Sequence, residues 1–476
     1  MFVTNKTIPV FLLLLLANHS FAQHQELSEK PQTYKGKSAQ TSDTTSILAA
    51  FKRGHVNGHF RYYFMSTQNE PGLTDYFAHA AGGGLRFETA GFHGFRFAVS
   101  GFYTFNIGSS DLGKPDAATG QVNRYEIALF DVEDPYNKKD LDRLEEFYLK
   151  YNYQKSFIVY GRQLINTPFI NLQDGRMRPT GVEGVWLELN EIPKTKIEGG
   201  WLSAVSPRGT THWFNTAASV GIYPAGVTAS GSKSQYRNNL QSKGIFMLGV
   251  QVQTGKYIEW QVWNLLAENI FNSAMLQADI RFPLKNNSKF FAAAQFVRQD
   301  ALKNGGNADA EKAYFEKGGR AAAFGAKAGW KNNRWETSIN MNRITKTGRY
   351  LMPREWGREP FFTFLPRERN EGFADVTAVM AKAGYQLPKQ RLNTSLAAGY
   401  YRLPDIKNYR FNKYGLPSYL QINADVRYTF SKMFSGLEAQ LLVAGKIKKG
   451  DTGNNKRYEI NKVNVTIYNF VLNYHF

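Results

Sequence analysis

Taken two residues at a time, long parts of the chain separate into opposed faces. In 418–430, SYLQINADVRYTF, residues Leu420, Ile422, Ala424, Val426, Tyr428 and Phe430 alternate with Gln421, Asn423, Asp425, Arg427 and Thr429. NSAMLQADIRF sets Leu276, Ala278, Ile280 and Phe282 against Gln277, Asp279 and Arg281, and KYIEWQVW sets Ile258, Trp260 and Val262 against Glu259 and Gln261. A period of two residues means a strand between two different media. Such segments recur from 55–65 to 462–476, about 18 in all, an even number of the kind a bacterial membrane barrel needs.

The connections separate a membrane barrel from a soluble sandwich. TAGFHG, YQKS, NEIPKT, TGK, PLKNNS, KNN, LPKQ and SKM are short, and they alternate with mostly longer segments. Short turns on one side and long loops on the other predict an all-β fold, a transmembrane antiparallel β-barrel with both chain ends on the periplasmic side. In the last strand, YNFVLNYHF, residues Tyr468, Phe470, Leu472, Tyr474 and Phe476 share one face, with Asn469, Asn473 and His475 on the other. The terminal aromatic Phe476 resembles the signal by which the barrel-assembly machinery selects its clients, which makes that machinery an expected partner. Upstream, Val463, Val465 and Ile467 fall out of phase with Phe476, so a bulge or the strand start is expected there.

Composition then fixes the compartment. Residues 1–22 carry one charge at Lys6, an apolar run from Phe11 to Ala17 and the small-x-small end Ser20-Phe21-Ala22, the pattern of a cleaved export signal. The run is too short to span a membrane as a helix. Residues 23–54 read as a polar leader and 55–476 as the barrel; about thirty residues before the first strand are too few for a folded plug of the receptor type. With 42 Gly, 35 Phe and 26 Tyr spread to the last residue, strands and turns are favoured throughout. The chain has no cysteine, which excludes disulfides, thiolate metal sites and a lipid-anchored start.

Two loops hold chemistry that a solvated loop does not need. The third outer loop, NTPFINLQDGRMRPT, combines apolar residues with Asp174, Arg176 and Arg178, and Gly175 permits a turn that aims these charges inward. The seventh, within 345–371, places Trp356, Phe361, Phe362, Phe364 and Leu365 among Arg354, Arg358, Glu359, Arg367 and Arg369. Such aromatics are costly in water and reasonable against a barrel wall, so both loops are expected to fold inward as constrictions. The chain is formally +20, which favours anions inside a narrow channel; for loop lysines such as Lys446, Lys448 and Lys449 two places stand equally open, the channel field or the loops and rim, where they solubilise the loop or meet the outer-membrane lipid and lipopolysaccharide that are the expected partners. Nothing calls for nucleic acid.

Catalytic signatures are absent: the chain has no G-x-S-x-G, H-E-x-x-H or P-loop pattern. His55 and His59 would stand about 13 Å apart on a strand, too far to share a metal. The acidic run DVEDPYNKKDLDRLEE of the second outer loop lacks the order of an EF-hand and reads as a solvated loop or one that bridges to surface cations. No catalytic residue, metal or cofactor is therefore assigned.

Taken with the strand count, GRQLINTPFINLQDGRMRP and the two inward loops, the chain resembles the OprD family of substrate-specific outer-membrane porins over nearly all of its mature length. The resemblance implies an eyelet formed by the third and seventh loops and a ladder of basic wall residues guiding carboxylate-bearing solutes. The matching positions are Arg162 beside the third loop, Arg176 and Arg178 within it, and Arg61, Arg96, Arg281 and Arg427 on the wall. The long REWGREPFFTFLPRERN departs from the family's better-known members and leaves the solute open. The expectation is passive, selective diffusion of small anionic solutes through a monomer or loose trimer. An outer-membrane β-barrel hydrolase or a surface-binding barrel is the competing class.

Overall fold

The computed structural model describes residues 43–172 and 175–476; the expected export signal, most of the leader and Asp174 lie outside the described residues. The first nine strands are β1 (His55–Gln68), β2 (Tyr76–Glu88), β3 (Phe95–Ser109), β4 (Asp142–Tyr153), β5 (Ser156–Gln163), β6 (Gly181–Leu189), β7 (Thr195–Ser206), β8 (Ile245–Thr254) and β9 (Ile258–Ala267). The rest are β10 (Phe271–Pro283), β11 (Lys289–Ala301), β12 (Arg320–Lys331), β13 (Trp335–Ile344), β14 (Val376–Leu387), β15 (Leu392–Arg402), β16 (Tyr419–Thr429), β17 (Leu437–Lys448) and β18 (Val465–His475). Each pairs antiparallel with its neighbour in sequence, and β1 pairs with β18 from His59↔His475 to Gln68↔Thr466, closing an eighteen-stranded barrel. A nineteenth stretch, Phe214–Asn215, adds only two residues of pairing to β7. Closure removes every strand edge, the condition under which a sheet survives in hydrocarbon.

Strand limits follow the alternation closely. The predicted 55–65 runs on to Gln68, and the strand after the seventh loop begins only at Val376, because Phe373 bridges Tyr350 and Asn412 instead of joining the wall. Of the two outcomes expected upstream in the last strand, the structure has the strand start, at Val465, and not the bulge. Val465 and Ile467 take the same inward face as Asn469 and Val471, and the ladders to β1 and β17 run without a bulge. These apolar side chains face inward because Leu129, Met177 and other loop residues cover them there.

Outward positions carry the lipid-facing residues, among them Phe60, Tyr160, Val262 and Phe476, all well exposed. The inward face is divided across the barrel's depth. On β10, Phe271, Ser273 and Met275 in the outer half give way to Gln277, Asp279 and Arg281 in the periplasmic half; β14 runs from Val376, Ala378 and Met380 to Lys382. The outer half is apolar because loops fill it, whereas the charged half bounds an open, polar-lined space. A short helix, α1 (Ile47–Lys52), ends the otherwise polar leader and lies against the turn between β2 and β3.

Candidate pore constriction and inner vestibule

The seventh loop (345–375) crosses the inside of the barrel, and polar side chains on its inner wall hold it there. Gln299 of β11 receives the Leu351 N–H and donates to the Leu351 carbonyl at 2.9 and 2.8 Å. Asn342 of β13 accepts from Thr363, and the Tyr401 hydroxyl of β15 donates to the Thr363 carbonyl at 2.6 Å. Further round, Gln421 of β16 donates to the Pro366 carbonyl at 2.7 Å. Arg367 then reaches Asn469 of β18 at 2.6 Å and the Tyr63 hydroxyl of β1 at 2.7 Å. Its φ of 85° is unusual for a residue with a Cβ, a strain its side-chain anchors sustain. Trp356, Phe361 and Leu365 are buried, while Phe362 and Phe364 are half-buried and line the space beneath the loop.

The third loop (164–180) meets the seventh along a short seam. Asn171 donates to the Arg358 carbonyl at 2.9 Å and accepts the Arg358 N–H at 3.1 Å; its own N–H donates to the Trp356 carbonyl. Gly357 is required at this crossing: its φ is 138°, and a Cβ there would stand 2.6 Å from the Asn171 oxygen. The fourth loop supports the seam from outside, where the N–H groups of Gly221 and Tyr223 donate to Glu355 and Ser219 accepts from the Trp356 indole.

The candidate residues divide into three groups. Arg358 is brought to the lumen, its guanidinium 4.6 Å above the Phe364 ring, and Arg96, Arg281 and Arg427 take the inward phase near the periplasmic ends of their strands. Several others serve as fasteners. Arg61 donates to the carbonyls of Arg176 and Met177 and so ties the third loop to β1. Arg354 pairs with Glu371, and Glu359 accepts the Asn370 N–H within the seventh loop. Arg176 is buried with a 3% exposure rather than presented to the open lumen.

Arg178 and Arg162 are corrections. The Arg178 guanidinium is engaged by Glu145, lies 3.0 Å from His59 and stacks 4.2 Å above Phe102, so it is already neutralised in the interior. Arg162 takes the outward phase of β5 with Ile158 and Tyr160, pairs with Glu183 at 2.8 Å and rests 4.7 Å from the Trp213 ring. One step of a two-residue period separates it from the inward Gln163. Lys446, for which rim and interior both stood open, lies inside, 1% exposed and bonded to Tyr125 and to Glu368 at 3.2 Å.

Sequence reasoning missed Glu145 and its second partner Arg143, which donates to Glu145 at 3.0 Å and to the Pro179 carbonyl at 2.6 Å. A register slip in the β3–β4 ladder, Ser100↔Glu146 followed by Gly101↔Leu144, makes Glu145 the extra residue of a bulge and turns adjacent glutamates inward. The adjacent Glu145-Glu146 pair at a strand's start was the available signal. It also missed that the second loop turns inward ahead of its acidic run: Tyr125, Leu129 and Phe130 are buried inside, whereas Asp134, Tyr136, Lys138 and Asp140 within the run are exposed. Among the described residues no group of acidic or histidine side chains is placed to hold a metal.

Below the loops lies a vestibule of about 960 Å³. Its lining carries nine Lys or Arg against six Asp or Glu, interleaved with Tyr148, Phe157, Trp186, Trp263 and Phe362. Much of the charge is paired across strands: Arg86 with Glu146, Lys196 with Glu188, Lys327 with Asp279, Lys331 with Glu336. Lys289 and Lys382 make no ion pair among the described residues. Lys150 stands 3.9 Å above the Phe157 ring and Lys327 4.9 Å from that of Phe362, so cations and ring faces share the same surface.

A closed barrel of this size with two loops crossing its interior and a charged vestibule is an outer-membrane diffusion channel. The family comparison places it further: residues 89–351, more than half of the chain, match the model of the outer membrane porin, OprD family, and the chain belongs to that family. The match includes the third loop and ends at the start of the seventh. Its porins are channels of the bacterial outer membrane, not enzymes. Among solved structures the chain is similar to Pseudomonas aeruginosa OpdK with vanillate, at 12% identity and a TM-score of 0.68 over 90% of this chain and 99% of that one. It is also similar to Acinetobacter baumannii OccAB1 (13%, 0.66, 92% and 99%) and to Pseudomonas aeruginosa OccD3 (12%, 0.67, 95% and 96%). At such identities the likeness is one of fold. No curated protein sequence matched.

Proposed function

We propose that this porin passes small carboxylate-bearing anions, with preference for those that also present a flat ring. The observation that carries the reading is the vestibule lining, where positive charge exceeds negative and is set among aromatic faces directly beneath Arg358 and Phe364. A low-dielectric wall focuses that surplus and concentrates anions at the mouth. Aromatic faces receive a ring at little cost in ordering, while the neighbouring cations take its carboxylate. The OpdK structure with vanillate, an aromatic carboxylate, lends this reading support. The inward loops set the passage, with Arg358 as the cation nearest the narrowing; Arg96, Arg281 and Arg427 contribute to the field nearer the periplasm.

The test is the reversal potential of single channels in a potassium chloride gradient, combined with liposome swelling in benzoate, acetate, glucose and lysine. Chloride selectivity and faster swelling with benzoate than with acetate are expected. Lys289→Gln with Lys382→Gln should move the reversal potential towards zero by several millivolts or more. Cation selectivity in the parent channel, or swelling indifferent to charge, overturns the reading.

A further inference from the structure

The leader's last turn before the barrel presents its apolar side to solvent. In α1, Ile47 is 61% exposed, Leu48 64% and Phe51 47%, three large side chains that a helix in periplasmic water would bury. The helix is not loosely tethered. Ser46 caps its N-terminus, Thr44 donates to the Gly91 carbonyl at 2.8 Å, Ala90 donates to the Ala50 carbonyl at 3.0 Å and Asp43 accepts the Gly94 N–H at 3.0 Å. These bonds hold α1 against the first periplasmic turn with Phe51 turned to the outside of the barrel. Its ring lies 6.0 Å from Phe87 and 6.3 Å from Phe97, both outward-phase residues of β2 and β3.

Around that contact the exposed apolar belt is continuous. Val56, Leu85, Phe95 and Phe147, each exposed on the outward face, surround Phe87 and Phe97, so the apolar face of α1 extends the lipid-facing surface at its periplasmic edge. Immediately after it, Lys52 and Arg53 are exposed and make no ion pair among the described residues. Apolar residues on one side and free cations at the adjoining end are the complement of a leaflet boundary, acyl chain beside phosphate.

We propose that α1 is an interfacial anchor, seated in the periplasmic leaflet with Ile47, Leu48 and Phe51 at the acyl boundary and Lys52 and Arg53 against glycerophospholipid phosphates. It fixes the N-terminal segment to the membrane plane beside the barrel, away from the vestibule mouth. The assignment concerns the outer wall and stands or falls independently of solute preference.

Because the chain has no cysteine, single labels report without background. Leu48→Cys and, separately, Ile47→Cys carry a nitroxide in the full-length protein, reconstituted in phosphatidylethanolamine and phosphatidylglycerol bilayers; Lys285→Cys in the exposed turn between β10 and β11 gives the aqueous reference. Collision rates with oxygen and with a neutral water-soluble nickel chelate are compared. At Leu48 and Ile47 the oxygen-to-nickel ratio is expected to exceed that at Lys285 severalfold. Ratios equal to that of the reference place α1 in the periplasm and overturn the anchor. Shielding of both labels from both reagents overturns it too, since a protein surface such as a second copy would then cover the helix.

Discussion

At the scale of single residues, what decides a charge's role is whether it is already spent. Arg178 sits in a loop that the sequence rightly turns inward, yet Glu145 neutralises it out of reach of solvent, with Arg143 as the second cation. Removing one partner of a buried ion pair costs about 3–5 kcal/mol, because the other charge is left desolvated. Arg178→Ala is therefore expected to lower the temperature at which the folded band is lost in heat-modifiability gels; Arg143 remains beside Glu145, so the loss falls at the lower end of that range. An unchanged unfolding temperature with an altered reversal potential would return Arg178 to the solute path. None of this was legible from the loop sequence, since the partner is 33 residues away and inward only because of a bulge. Arg162 was legible: counting by two from Gln163 gives its outward phase.

At the scale of elements, the seventh loop is a strap fastened at both ends of its crossing, with Glu368 beside the far end bound to Arg124 and Lys446. Burial alone would raise the Glu368 carboxyl's pKa, but the cations of Arg124, Lys446 and Arg354 outweigh it and hold it down at about 2, against an ordinary 4.5. A folded-state pKa below the unfolded one means that its stabilisation is complete above about 4.5 and is lost as pH falls through about 2. Burial shifts Glu355 and Glu359 upward, the opposite sign, so their protonation first tightens the loop as pH falls towards 4.5. Protection of the amides between Leu351 and Gly372, the exchange rate taken relative to that of the unfolded chain at the same pH, should thus rise and then fall as pH is lowered, and Glu368→Gln should abolish only the second limb. A monotonic response that ignores this substitution refutes the assignment. Shortening the loop from Leu351 to Pro366 is a coarser test: single-channel conductance should rise while the strand ladder, which closes without loops, persists. The sequence showed that this loop turns inward, because exposed aromatics have few other homes. It also held the reason, overlooked in the strands: inward positions change from apolar to charged halfway along β10 and β14.

For the whole molecule, the barrel was the most legible feature, because period-two alternation and turn length are local consequences of a two-media wall, repeated eighteen times over. What fills the barrel was less so, because the contacts of the second, third, fourth and seventh loops link residues more than a hundred positions apart, as between Arg61 and Arg176 or Asn171 and Arg358. The orientation of the whole follows from the connections: the long second loop, with Tyr136 exposed at its tip, must face outward if the short turn holding Asn286 faces the periplasm. In a chain without cysteine, Tyr136→Cys and Asn286→Cys each offer one thiol. A membrane-impermeant maleimide added to intact cells should label the first within minutes and reach the second only after the outer membrane is opened. Labelling in the reverse order would invert the barrel, move the vestibule to the cell surface and leave the strand ladder untouched, since the hydrogen bonds between strands do not depend on which side is out. It would also place α1 in the lipopolysaccharide leaflet, where Lys52 and Arg53 would meet phosphorylated sugars instead of glycerophospholipid. The thiol order therefore decides orientation, solute entry and the leaflet of the N-terminal helix in one measurement.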